Sequence, residues 1–133
     1  MTEQCPVVHF EMPYEDAGRI AGFYETAFGW KLHQLGPEMG DYVTAETAES
    51  RDGRSVTPGV INGGFFAKTP DLPAQHPSVV IGVSDIAAAM TRLTEAGGTV
   101  LGEPMEIPGV GLYVAFTDTE GNRASLLQPV GQG

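Results

Sequence analysis

The sequence predicts an α+β fold of two tandem βαβββ modules. They form one eight-stranded curved mixed sheet with a concave cleft, and the helices lie on the convex side. Three observations support this fold class. Two amphipathic helices of equal length each end at glycine, short β-type segments surround both, and a shift of 69 residues superposes one helix on the other. A single domain is therefore expected over residues 1–133, with modules over residues 1–68 and 77–129.

The first helix is predicted from about Glu15 to Phe28. Asp16 is the expected N-cap and Gly29 the stop signal, because a short acceptor side chain and a glycine mark helix ends. Apolar residues at helical spacing give the helix one apolar stripe. The stripe consists of Ala17, Ile20, Phe23, Tyr24, Ala27 and Phe28.

The second helix is predicted from about Asp85 to Ala96, with Ser84 or Asp85 as its cap and Gly97-Gly98 at its end. Its stripe consists of Ile86, Ala89, Met90 and Leu93. The 69-residue shift places Asp16 on Asp85 and Gly29 on Gly98. The agreement of cap, stripe and stop indicates an internal repeat, which sets the architecture.

Eight segments with β-branched or aromatic content and turn residues at their ends are predicted to be strands. In the first module they are Val7–Met12, Trp30–Leu35, Asp41–Thr47 and Val60–Ala67, and in the second Ser78–Val83, Thr99–Glu103, Leu112–Thr117 and Arg123–Gln128. Residues 50–58 and 69–77 are expected to be loops. In the first strand, alternation places Val8, Phe10 and Met12 under a helix, and His9 and Glu11 toward the cleft.

Composition narrows the range of partners and compartments. Seven Lys and Arg residues against 17 Asp and Glu residues give a net charge of −10, which opposes binding to nucleic acid or to an anionic membrane surface. The single cysteine, Cys5, allows no intrachain disulfide and indicates a reducing compartment, so a cytoplasmic location is expected. The N-terminus lacks the pattern of a signal peptide, and no apolar run approaches the roughly 20 residues of a membrane span.

Two segments of the chain resemble those of a known superfamily. They are HFEMPYEDAGRIAGFYETAFGWKL (residues 9–32) and PGVGLYVAFTDTEGNRASLLQP (residues 108–129). They resemble the vicinal oxygen chelate superfamily of glyoxalases, bleomycin-resistance proteins and extradiol dioxygenases. The second segment is similar to the closing D-P-E-G-N-x-x-E-L pattern of that group. The resemblance implies the paired βαβββ fold over essentially the whole chain, and a homodimer is a further expectation from it.

The resemblance also implies a metal ion, held by His, Glu or Gln from the first and last strand of each module. The matching positions are His9, Gly64, Val80 (if Val83 is matched to Met12) and Ser125. Glycine and valine offer no donor, a neutral serine is a poor ligand, and about three protein ligands are the usual minimum. No metal or other cofactor is therefore predicted, and a divalent metal is expected only if the strand registers differ from these.

His9 and Glu11 are the candidate acid–base pair, because residues two apart on a strand share a face and can share a proton. The alternative is a histidine and a half-buried carboxylate with structural roles only. The candidate cleft residues are Gly64, Phe65, Val80, Tyr113 and Ser125. The remaining strand aromatics, including Tyr42, can belong to the core or to a pocket wall, and His33 and His76 are expected at the surface.

The predicted function is that of a glyoxalase- or bleomycin-resistance-like protein that binds a small molecule and has a degenerate metal site. The runner-up is a metal-dependent lyase, isomerase or dioxygenase acting on a substrate with vicinal oxygens. A metal-free enzyme using His9 and Glu11 and a structural module with a filled cleft also remain open. Three O or N side chains converging on His9 would favour the metal enzyme. Both an enzyme and a binding protein are compatible with the sequence.

Overall fold

The computed structural model describes residues 3–51, 54–55, 57–70 and 75–130. Residues 9–77 form one compact unit, and residues 78–130 with the N-terminal residues 3–8 form the other. Both units have the βαβββ order, with four main strands and one helix each. The predicted α+β class and its two tandem modules are confirmed.

The first module contains strands β1 to β6 and helix α1. They are β1 (Val7–Tyr14), α1 (Ala17–Phe28), β2 (Lys31–Gln34), β3 (Val43–Glu46), β4 (Ser50–Arg51), β5 (Arg54–Ser55) and β6 (Asn62–Ala67). Its main strands follow the order β2-β3-β6-β1, in which β1 and β6 are parallel and the other pairs antiparallel. Strands β4 and β5 form a separate two-stranded antiparallel sheet within residues 50–58, for which the sequence predicts a loop. Residues 52, 53 and 56 of that segment lie outside the described residues.

The second module repeats this arrangement. It contains β7 (Ser78–Gly82), α2 (Ile86–Glu95), β8 (Thr99–Ile107), β9 (Gly111–Thr117) and β10 (Arg123–Pro129). The strand order is β7-β10-β9-β8, with β7 and β10 parallel. β8 extends beyond the predicted end at Glu103, across a register shift between Leu101 and Met105 at which Gly102 has a φ of 96°. In the predicted linker 69–77, residues 71–74 lie outside the described part of the chain.

Both helices begin and end within two residues of the predicted bounds, and Ala96, just before Gly97-Gly98, is the C-cap of α2. The Asp16 side chain accepts a hydrogen bond from Arg19 N at 2.9 Å, and Gly29 adopts the left-handed conformation at the C-cap. Asp85, and not Ser84, caps α2, since its Oδ1 accepts from Ala88 N at 3.1 Å. The Ser84 hydroxyl instead donates to Glu3 Oε1 at 2.6 Å.

Each helix packs on one face of its own four strands. The core of the first module is largely aromatic: Tyr24 stacks on Trp30 with centroids 4.7 Å apart and contacts Phe65 at 5.2 Å. The core of the second module is mostly aliphatic and includes Val83, Ile86, Ala89, Val114, Phe116 and Leu126. The other face of each set of strands is therefore left without a helix from its own module. Among the described residues, no helix is long and apolar enough to cross a membrane.

Candidate functional site

Strand β1 separates core residues from candidate site residues by simple alternation. Phe10 and Met12 pack with the core under α1, as predicted, while Val8 is 37% exposed. His9 and Glu11 therefore lie on the face of β1 that turns away from the helix. His9 is half-buried, and Glu11 is only 8% exposed, which is unusual for a carboxylate and calls for a hydrogen-bonding partner.

The partner is Tyr42, which immediately precedes β3. Its hydroxyl donates to Glu11 Oε2 at 2.9 Å and lies 3.1 Å from His9 Nε2. Since the Tyr42 proton goes to the carboxylate, its oxygen accepts a hydrogen bond from His9. The two contacts together favour the His9 tautomer that carries its proton on Nε2, which leaves Nδ1 as the acceptor. We refer to His9, Tyr42 and Glu11 together as the relay.

Gly64 makes room for the relay. It lies beside Glu11 in the β1–β6 register and opposite Thr44 on β3. A Cβ atom at position 64 would collide with the ring and hydroxyl of Tyr42. The tyrosine therefore occupies the volume into which a side chain from this position of β6 would project.

Burial governs the ionisation of His9. Desolvation lowers the pKa of His9 below its ordinary value of 6.5, and the nearby Glu11 carboxylate opposes this by raising it. The lowered pKa keeps the imidazole uncharged at neutral pH. An uncharged imidazole whose Nε2–H is engaged can accept a proton or a hydrogen bond at Nδ1.

The corresponding face of the second module is chemically different. Ser125 and Val80 are neighbours in the β10–β7 register, and each is 2% exposed. The Ser125 hydroxyl and the Tyr113 hydroxyl lie 2.7 Å apart and form a hydrogen bond. This face thus carries a neutral polar pair among apolar neighbours.

The helix caps correct the equivalence assumed for Val80. Glu11 and Val80 each precede an N-cap aspartate by five residues, and each neighbours the last strand of its module, at Gly64 and Ser125 respectively. Val80 is therefore the counterpart of Glu11 and not of His9, with which the match of Val83 to Met12 pairs it. The counterpart of His9 in the second module is Ser78, which is also a poor metal ligand.

The side chains at these positions do not fit a divalent metal site of the kind the resemblance implies. In the first module Gly64 has no side chain that could bind a metal. The two residues that could, His9 and Glu11, are both hydrogen-bonded to Tyr42. In the second, Val80 has no donor and Ser125 is a neutral hydroxyl paired with Tyr113. Nowhere in the described part of the chain do three His, Cys, Asp or Glu residues cluster as a metal site.

The other candidate residues fall on both faces. Phe65 is fully buried in the helix-side core, so it does not line the face that carries His9 and Glu11. His33 and His76 are exposed, as predicted. In the sequence, Tyr42 is one strand aromatic among several. The signal for its role was the glycine inside β6, since a strand glycine often marks the close approach of another group.

Comparison with known proteins identifies a family whose fold agrees with the one described above. A family model described as the Glyoxalase/Bleomycin resistance protein/Dioxygenase superfamily matches residues 7–126. A Didymella fabae protein named "Glyoxylase-like domain-containing protein" is 29% identical over 113 residues, which cover 84% of each chain.

Solved structures give the same result. A methylmalonyl-CoA epimerase in complex with methylmalonyl-CoA and NH4+ aligns with a TM-score of 0.72 at 16% identity, covering 97% of both chains. A single-residue variant of the Streptomyces coelicolor methylmalonyl-CoA epimerase, in complex with 2-nitronate-propionyl-CoA, aligns with a TM-score of 0.70 at 16% identity, covering 95% of both. At this identity the likeness concerns the fold alone.

Proposed function

We propose that the chain, which belongs to the Glyoxalase/Bleomycin resistance protein/Dioxygenase superfamily, binds a small organic molecule without a metal ion. The ligand contacts the relay on the face of the first module that lies away from α1. The same proposal includes the degenerate metal site expected from the sequence. Ligand binding by superfamily members of similar fold supports it, since the epimerase structures hold CoA esters.

The observation that carries the proposal is the Tyr42 hydroxyl placed between His9 and Glu11, at 3.1 and 2.9 Å. A buried carboxylate that orients a tyrosine, which in turn orients an imidazole, resembles the arrangements that fix one tautomer for recognition or proton transfer. Apolar side chains packed on the face opposite the hydrophobic core could stabilise the fold as well as this network does. Its use is to present His9 Nδ1 to a hydrogen-bond donor.

The ligand is therefore expected to carry a hydroxyl or another donor that reaches Nδ1. A donor that meets an uncharged imidazole gains a hydrogen bond without the cost of desolvating a histidinium ion. The hydrogen bond between His9 and Tyr42 uses Nε2, so it does not compete with the ligand for Nδ1. Specificity then follows from the presence of the donor on the ligand, because an unmatched buried polar group weakens binding.

Metal independence is tested first. Elemental mass spectrometry on untagged protein purified without chelators is expected to find well under one equivalent of Zn, Ni, Mn or Fe. A His9→Ala variant should contain no less metal than the wild type. Near-stoichiometric metal that disappears in the variant would contradict the proposal and favour the metal-dependent lyase, isomerase or dioxygenase.

Ligand binding is tested with methylmalonyl-CoA and a fragment panel of diols, α-hydroxyketones and phenols, read out by thermal shift. A ligand that binds only the native state raises the melting temperature. Each hit is then titrated by calorimetry against Tyr42→Phe, which keeps the ring but removes the hydroxyl, and against His33→Gln as an exposed-histidine control. The affinity should fall about tenfold or more with Tyr42→Phe and stay unchanged with His33→Gln. Equal affinities for all three proteins would place the ligand elsewhere.

A second candidate function, metal-free proton transfer, is favoured by the uncharged state of His9. With Nε2–H held by Tyr42, Nδ1 can act as a general base toward an acidic C–H beside a carbonyl. Incubation with methylmalonyl-CoA in D2O, followed by proton NMR, measures whether the C–H exchanges faster with the protein than without it. Exchange that His9→Gln abolishes would favour an isomerase, and no exchange would leave binding alone.

The partners, the cellular compartment and the oligomeric state are also part of the proposal. The net charge of −10 supports a protein without nucleic-acid or membrane partners, and the single cysteine supports the cytoplasm. A homodimer is expected by analogy with the superfamily. Light scattering coupled to gel filtration measures the mass against the 14.1 kDa monomer.

A further inference from the structure

The backbone next to the relay is strained. Asp41, which precedes Tyr42, has a φ of 57° and is the sole non-glycine residue with positive φ in the described ranges. The left-handed conformation is unfavourable for side-chain-bearing residues, although aspartate tolerates it better than most. Such strain persists only where surrounding contacts impose it, and it often accompanies function.

A core tyrosine supplies the fixing contact. The Tyr14 hydroxyl donates to the Asp41 carbonyl oxygen at 2.6 Å. Tyr14 is the last residue of β1, is 9% exposed, and packs with Val43 and Phe65 in the core of the first module. Burial, and secondarily Asp41, raise the pKa of Tyr14, so that its hydroxyl remains a donor over the physiological range.

Backbone hydrogen bonds surround this contact on both sides. The Gly36 carbonyl accepts from Met39 N at 3.0 Å and from Asp41 N at 3.1 Å, which closes the short 3₁₀ turn Pro37–Met39. Leu35 N then donates to the Tyr42 carbonyl at 2.8 Å. The Tyr14 hydroxyl joins this turn to the core, one residue before Tyr42.

We infer that Tyr14 is a positioning residue for the relay: by holding the Asp41 carbonyl it fixes the left-handed backbone that aims the Tyr42 hydroxyl between His9 and Glu11. The inference deepens the proposed function and rests on it for its biological meaning. The chain of contacts runs from the core through one carbonyl to Tyr42, with no direct contact between Tyr14 and a ligand. Tyr14 and the pair His9 and Glu11 thus act on the same site from opposite faces of β1.

The test uses Tyr14→Phe and a matched control. Tyr24→Phe removes a hydroxyl from the same core, where it donates to the sulfur of Met12 at 3.8 Å. Nitrogen-15 NMR of the histidine side chains reads the tautomer of His9 without any ligand. Tyr14→Phe is expected to lose the predominance of the Nε2–H tautomer, and Tyr24→Phe to keep it.

A rescue experiment separates positioning from simple destabilisation. Glycine adopts a φ of 57° without cost, so Asp41→Gly in the Tyr14→Phe background should restore the Nε2–H tautomer. Asp41→Pro, which cannot adopt that φ, should lose it while Tyr14 stays in the core. The Asp41→Pro variant also tests the inference if Tyr14→Phe does not fold.

Two results would overturn the inference: an unchanged His9 tautomer in a folded Tyr14→Phe or Asp41→Pro variant, or an equal change in Tyr24→Phe. Because the readout needs no ligand, it is independent of the proposed function. A wild-type protein that binds none of the probes would contradict the function and leave the positioning role standing. Loss of probe binding in Tyr14→Phe with an unchanged tautomer would contradict the positioning role alone.

Discussion

The two modules share one fold but carry different chemistry on the face that each helix leaves uncovered. The first module places a histidine, a tyrosine and a buried carboxylate in one hydrogen-bonded relay. At the equivalent strand positions, the second places Val80 and a neutral Tyr113–Ser125 pair. The glycine of the first module, Gly64, corresponds to Ser125 of the second, so a side chain is present in one module where the other must have none.

The difference shows which parts of a repeat are constrained. The helix side of each module must bury apolar surface, and both do so with different residues: aromatic rings under α1 and mostly aliphatic side chains under α2. The opposite side carries no such requirement from its own helix, so its residues can diverge toward polar or apolar character. Core and site therefore lie on opposite faces of the same strand, as with Phe10 and Glu11 in β1.

Truncation of a side chain in the core of the first module should destabilise the protein most. Phe65→Ala removes a fully buried ring and should lower the free energy of unfolding by about 3–5 kcal/mol. Phe23→Ala, at a residue that is 57% exposed, should change it by no more than about 0.5 kcal/mol. Urea denaturation followed by circular dichroism measures both, and similar losses would mean that Phe65 does not belong to the principal core.

A smaller effect distinguishes the two faces within one strand. A Cβ at Gly63 would collide with the Phe10 ring in the core, and one at Gly64 with Tyr42 in the relay. Each substitution by alanine should destabilise the protein by about 1–3 kcal/mol, because overpacking displaces the neighbouring ring. Gly64→Ala alone should raise the pKa of His9 toward its ordinary value by admitting water. An NMR titration of the histidine ring protons makes the comparison, and the same change in Gly63→Ala would remove the distinction between the faces.

The repeat and the helix ends could be predicted from the sequence because they depend on local rules. Asp16 and Asp85 are short acceptors at the start of an apolar periodic segment, and Gly29 adopts the left-handed conformation that ends a helix. The alternation that sets His9 and Glu11 apart from the core likewise follows from strand geometry. These features need no knowledge of tertiary contacts.

The relay could not be predicted, because it depends on contacts between distant segments. Tyr42 lies 31 and 33 residues from its two partners and precedes its strand, so neither spacing nor alternation places it. Gly64 and Phe65 are consecutive in β6, so only one of them can lie on the face of His9 and Glu11. The register of β6 with β1 places Gly64 on that face and Phe65 in the core. The equivalence of Val80 with Glu11, by contrast, already follows from the 69-residue shift that superposes the two helices, and the two parallel registers agree with it.

The helix caps test whether equivalent residues of the two modules make equal contributions. Asp16→Ala should cost about 1 kcal/mol of stability, through the lost bond to Arg19 N. Asp85→Ala should cost less, because Gln128 Oε1 still accepts from Ile86 N at 2.8 Å at the start of α2. Thermal and urea unfolding of the single variants, and of Asp85→Ala combined with Gln128→Leu, measure the difference. Equal losses in the two single variants would show that Gln128 does not support the cap.

His9 should give the stability of the first module a weak pH dependence that the second module lacks. Because the folded-state pKa of His9 lies below its unfolded value of about 6.5, the unfolded state binds more protons between the two values. Stability should therefore be fully present above about pH 6.5 and decrease as the pH falls toward the folded pKa. His9→Gln should flatten this part of the curve of stability against pH, while His33→Gln, at an exposed position, should not.

Since the Glu11 carboxylate raises the pKa of His9, Glu11→Gln should lower that pKa further and extend the decline in stability to lower pH. Urea unfolding at a series of pH values, paired with NMR titration of His9, tests both signs, and a His9 pKa that rose in Glu11→Gln would contradict the electrostatic coupling within the relay.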